Sequence, residues 1–108
     1  MTEHTSPIVL LATLTAKAGQ ADALKAALLA LVEPTRAEPG NLDYMLFERQ
    51  DAPGCFYMRE AFAHQEAFDA HAASEHFQQF LAHSEALLAE PPHLVFLNPV
   101  SSSVDAQP

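Results

Sequence analysis

Two strand-like runs joined by a short turn constrain this chain more than any other feature. LDYMLFERQ (42–50) and CFYMREAF (55–62) flank Asp51-Ala52-Pro53-Gly54, a turn by its residue types. Side chains alternate faces along a strand. In the first run Leu42, Tyr44 and Leu46 share one face, and Met45 and Phe47 share the other. In the second, Phe56, Met58 and Phe62 share a face with Glu60, while Tyr57, Arg59 and Ala61 face the opposite way. The pair reads as an antiparallel hairpin that must be covered on both sides. It also places a carboxylate in an apolar row, where an unpaired charge costs several kcal/mol or takes up a proton.

The rest of the chain supplies the cover. IVLLATLT (8–15) reads as a largely buried strand. From Ala21 to about Ala37, Leu24, Ala27, Leu28, Leu31 and Val32 form one helical stripe; Pro34 weakens its last turn and Glu38-Pro39-Gly40 ends it. A helical pattern resumes at His64, with Ala67, Phe68 and His71 on one stripe. Ser74 breaks it and caps a further helix whose inner face carries Phe77, Phe80, Leu81, Ser84, Leu87 and Leu88. Pro91-Pro92 stops that helix, and HLVFLN (93–98) is a fourth strand. The order β-α-β-β-α-β is the split, ferredoxin-like α+β arrangement with an antiparallel sheet. One domain over 8–98 is expected, with a polar lead over 1–7 and a polar tail over 99–108. Helices on one sheet face leave the other open, so a homodimer is expected to cover it.

Charge narrows the partners. Fourteen acidic residues against five basic ones give a formal charge of −9, which argues against nucleic acid and anionic membranes. Cys55 is the only cysteine, so no internal disulfide forms. The first apolar run is too short for a membrane span and lacks a signal-peptide layout, so a cytoplasmic location is expected.

Few residues offer chemistry. Glu60 is either a pocket carboxylate, orienting His71 or accepting a substrate proton, or a structural acid paired with Arg36 or capped by backbone N–H groups. His71, on an apolar stripe, is either a core histidine or a general base near neutral pH. Arg36 either suits the dipole at the end of the first helix or locks onto Glu38 or Glu60. Tyr44 points to a pocket or a subunit contact. Phe47, Phe68 and Phe77 are core side chains or the walls of an aromatic site. His76 and His83 are seven apart and His71 and Glu75 four apart, but no HExxH or HxxxH spacing exists, so no metal site is expected.

Taken in order, the segment Thr35-Arg36-Ala37-Glu38-Pro39-Gly40, Tyr44, the strand with Phe56 and Glu60, Glu66-Ala67, His71, Ser74 and His76-Phe77 resemble the antibiotic biosynthesis monooxygenase (ABM) domain family. The likeness is to its small quinol-monooxygenase-like members and covers roughly residues 8–98. It implies a dimeric α+β barrel and a pocket between sheet and helices. It also implies oxidation of a small quinol or polyphenol by dioxygen without metal, flavin or haem. His71 and Glu60 would be catalytic, and Tyr44, Arg36, Phe47, Phe68 and Phe77 would hold the substrate. The chain departs from haem-degrading relatives: it has no Trp and no Asn in IVLLATLT. Because the family also includes binders and isomerase-like members, two alternatives stand beside the oxygenase: a small-ligand-binding or stress-associated dimer without turnover, and a cofactor-free isomerase. The enzyme reading requires an apolar pocket for one or two aromatic rings with His71 inside it.

Overall fold

The computed structural model describes residues 6–101. Residues 1–5 of the expected lead and 102–108 of the expected tail lie outside the described residues. The elements run β1 (Ile8–Thr15), α1 (Ala21–Arg36), β2 (Asn41–Glu48), β3 (Cys55–Phe62), α2 (Gln65–Ala73), α3 (Glu75–Leu87) and β4 (His93–Leu97). The four strands form one antiparallel sheet in the order β2-β3-β1-β4. This is the ferredoxin-like α+β fold, with the second helical region broken in two at Ser74.

The hairpin closes through Ala52-Pro53-Gly54-Cys55, where the Cys55 amide donates to the Ala52 carbonyl at 3.0 Å. Pro53 fixes the first central φ, and Gly54 takes the second at +91°, the glycine position of a type II turn. Register then pairs Tyr44 with Glu60 and Leu46 with Met58.

The core lies between the sheet and the helices. Ala12 and Leu14 of β1 and Phe56 and Met58 of β3 pack with Leu24, Leu28 and Leu31 of α1 and Phe80 of α3, and Leu10 and Phe62 are buried on the same sheet face. The alternation that places Phe56, Met58, Glu60 and Phe62 on one face is present in the structure. Two expectations need correcting. A bulge between Asn41 and Asp43 breaks the β2 register, so Leu42 leaves the face of Tyr44 and is 62% exposed. Leu81, expected on the inner face of α3, is also exposed.

On the other sheet face stand Met45 and Phe47 of β2, Tyr57 and Arg59 of β3, Leu11 of β1 and Val95 and Leu97 of β4, as the pairing register dictates. Asp43 and Arg59 form a bidentate pair there, with bonds of 2.7 and 3.2 Å. Met45, Phe47, Val95 and Leu97 are exposed in the single chain. No helix among the described residues is long and apolar enough to cross a membrane.

Candidate active site

A cavity of about 160 Å³ opens between the sheet and the three helices. Its floor is Leu10, Ala12, Met58 and Glu60; its walls include Leu28, Leu31, Phe68, Phe77 and Phe80; Tyr44 and His71 close one side. The strand alternation that aims Glu60 inward also aims Met58 and Tyr44 into the same space.

Glu60 is buried, and no side chain among the described residues pairs with it. Burial removes the water that would stabilise its charge, and the nearby Glu38 carboxylate adds repulsion. Together they push its pKa from 4.5 up to about 8. At neutral pH the side chain is therefore a protonated acid and can donate a hydrogen bond. This is how a carboxyl group is tolerated in the apolar row. The Tyr44 hydroxyl is also pushed up, first by burial and then by Glu60, so it stays a phenol at any ordinary pH.

His71 sits in the last turn of α2 and is buried. Its ring packs against Phe77, Phe62 and Tyr44, with centroids 5.0, 5.1 and 5.5 Å away. Its hydrogen-bond partner is not Glu60. Nδ1 lies 3.0 Å from Oε2 of Glu38, and the same oxygen lies 2.6 Å from Nε2 of His76. A carboxylate only accepts, so both imidazoles donate to it. Nδ1 of His71 therefore carries a proton, and in the tautomer this selects Nε2 holds the lone pair. Side-chain exposure rises along the chain of contacts, from 3% at His71 to 15% at Glu38 and 25% at His76.

Three local devices bring these groups together. Ser74 caps α3 by accepting from the Phe77 amide at 3.2 Å and donates to the His71 carbonyl at 2.7 Å. It thereby sets the turn between the two histidines. Gly40 lets the loop carrying Glu38 press onto α2: a Cβ on Gly40 would overlap that of Ala67. Arg36 anchors the other end of the loop by donating from Nε to the Tyr44 carbonyl at 3.0 Å.

Of the expected site residues, His71, Glu60, Tyr44, Phe68 and Phe77 line one cavity. Arg36 and Phe47 do not. Arg36 is a lock, as one reading of the sequence had it, but its partner is a backbone carbonyl rather than Glu38 or Glu60. Phe47 lies on the opposite sheet face, under the Arg59 guanidinium at 5.3 Å. Sequence reasoning missed the roles of Glu38 and His76. The signals were there: both lie within the segments that carry the family resemblance, and His71 and His76 flank the cap residue Ser74.

The family profile described as Antibiotic biosynthesis monooxygenase matches residues 7–83. The chain belongs to this family. Among ABM relatives, Rv0793 of Mycobacterium tuberculosis is 32% identical over 99 residues, which are 92% of this chain and 97% of that protein. Its structure superposes with a TM-score of 0.85, covering 91% of this chain and 99% of that one. PA3566 of Pseudomonas aeruginosa is 37% identical with a TM-score of 0.87, covering 93% and 100%. The ABM assignment and the ferredoxin-like fold agree with what the ordered motifs implied.

Proposed function

We propose that this ABM protein is a cofactor-independent monooxygenase that oxidises a small quinol or polyphenol with dioxygen and works as a homodimer. The observation that carries this reading is the composition of the cavity: apolar walls with a base, a protonated acid and a phenol in one small space. A cavity of about 150 Å³ is enough to take up benzene, so about 160 Å³ suits one aromatic ring, a hydroquinone rather than a polycycle.

Each group then has a task. Glu38 holds Nδ1–H of His71, which leaves Nε2 to take a phenolic proton. Glu60, protonated, donates to the second substrate oxygen, and Tyr44 fixes the ring beside it. A quinolate in an apolar site is a strong electron donor. It passes one electron to dioxygen, and the radical pair combines at a ring carbon to form a hydroperoxide. Loss of water completes the turnover. One oxygen atom stays on the ring and the other leaves with two hydrogens, so hydroquinone and dioxygen give hydroxybenzoquinone and water. His76, the more exposed partner of Glu38, offers the proton a way to solvent. The homodimer reading is supported by the apolar residues on the outer sheet face.

Oxygen uptake by chelator-treated protein tests this reading, comparing hydroquinone, reduced naphthoquinone and buffer. Acceleration by the native protein and none by His71→Phe supports it. No acceleration with any quinol overturns it and favours a binding role. Conversion of substrate without oxygen uptake favours an isomerase.

A further inference from the structure

We propose that Glu38, His71 and His76 form a binding site for a divalent transition-metal ion of the zinc type, and that this ion disables the base at His71. Glu38, His71 and His76 each offer a ligand atom within 4.8 Å of the other two, and Glu38 Oε2 touches both His71 Nδ1 and His76 Nε2. They come from three separate segments: the loop after α1, the last turn of α2 and the first turn of α3. Two imidazoles and a carboxylate with an open fourth position are a common ligand set for zinc. Nitrogen donors favour zinc, cobalt, nickel or copper over magnesium and calcium, which prefer oxygen.

The two contacts that Glu38 makes need little adjustment. Metal–ligand bonds of roughly 2.0–2.1 Å in a tetrahedral site set donor atoms about 3.4 Å apart. The two oxygen–nitrogen distances, 3.0 and 2.6 Å, must widen by less than an ångström. His76 is the side chain free to supply that movement, being a quarter exposed. The second oxygen of Glu38, Oε1, is buried and has no partner among the described residues. It is available to turn the carboxylate bidentate. His76 also lines a surface groove between α1 and α3 of about 470 Å³, which gives an ion a route from solvent.

Coordination has a consequence for the pocket. An ion on Nδ1 displaces the proton held there. A neutral imidazole then carries its single proton on Nε2, the nitrogen that otherwise accepts from substrate. Metal binding and base function are thus mutually exclusive. The inhibitory half of this proposal rests on the monooxygenase reading; the binding half does not.

The test is a titration of chelator-stripped full-length protein with Co²⁺, followed by visible absorption, and with Zn²⁺, followed by calorimetry. One equivalent of Co²⁺ is expected to give the d–d bands of a four- or five-coordinate ion, and Zn²⁺ to bind at one equivalent and raise the thermal midpoint. His76→Phe and Glu38→Gln are each expected to weaken Zn²⁺ at least about tenfold, while His83→Ala leaves it unchanged. Absence of the bands, or equal affinity in His76→Phe, overturns the site. One equivalent of Zn²⁺ should also abolish oxygen uptake, with recovery on chelation. Full turnover with Zn²⁺ bound overturns the inhibitory half alone. If no quinol is oxidised by metal-free protein, the monooxygenase reading fails, and the Co²⁺ bands still decide the site.

Discussion

His71 Nδ1 lies 3.0 Å from Glu38 Oε2, and this contact, not one with Glu60, orients the imidazole at the cavity. It separates two carboxyl groups by task. Glu38 fixes the histidine tautomer; Glu60 faces the cavity as a neutral acid.

Replacing Glu38 by Gln tests that division. Gln keeps the length of the side chain but offers a single carbonyl oxygen and an N–H₂ that donates. The imidazole is then no longer held with its proton on Nδ1. General-base catalysis is worth about 10²–10⁴-fold. Glu38→Gln should accordingly lower kcat for quinol oxidation by about 10²-fold or more while KM changes little. An unchanged kcat, read by oxygen uptake, removes Glu38 from the mechanism.

Gly40 positions Glu38 and has no room for a side chain. A methyl group there meets the Ala67 Cβ, and the Ala67 Cα lies 3.4 Å away. The Ala63 amide also donates to the Gly40 carbonyl at 2.8 Å, so the loop cannot simply swing out. Overpacking of this kind costs about 1–3 kcal/mol. Gly40→Ala should lose that much in urea unfolding, and its kcat should fall along with that of Glu38→Gln because the loop moves away from α2. Wild-type stability in the variant argues that the loop yields easily.

Much of this architecture was legible because it is written in local periodicity. The period-two pattern of β3 aimed Glu60 inward, and Ser74 announced the break between α2 and α3. What was not legible depends on events without a period. The bulge at Asn41/Asp43 turns Leu42 to solvent although its spacing from Tyr44 matches a shared face. The Glu38–His71 contact spans 33 residues and arises only when the α1–β2 loop folds onto α2. Arg36 found a carbonyl rather than a carboxylate, a choice its charge alone does not make. Phe47 shows the reverse: alternation already set it opposite Tyr44, and the structure keeps it outside the cavity.

Glu60 gives a pH dependence with a definite sign. Its folded-state pKa, about 8, lies above the ordinary 4.5, so between these values the native state holds a proton that the unfolded chain releases. Its contribution to stability is complete below about pH 4.5 and is lost as pH rises through about 8, with a slope of at most about 1.4 kcal/mol per pH unit. Glu60→Gln should flatten that decline in urea titrations between pH 5 and 8. The same proton serves the proposed hydrogen bond to substrate. Wild-type turnover should fall above about pH 8, and Glu60→Gln, whose amide still donates, should lose that limb of the profile. An identical profile in both proteins assigns the proton elsewhere.

The outer sheet face tests the proposed assembly. Met45, Phe47, Val95 and Leu97 are between 38% and 45% exposed and stand on one face with Leu11 and Tyr57. Each fully buried side chain of this size contributes about 1.5–3 kcal/mol, and the exposed two-fifths of each leaves part of that gain unrealised in the single chain. Phe47→Arg removes one of these residues and sets a second guanidinium beside Arg59, whose present partners include Asp43, Met45 and the Phe47 ring. Because Phe47 lies outside the core between the sheet and the helices, the fold should survive, as circular dichroism will show. Light scattering after size exclusion should find the native protein at twice its 11.7 kDa chain mass and the variant shifted toward one. A native monomer sinks the dimer proposal, and a variant that remains fully dimeric moves the interface off this face.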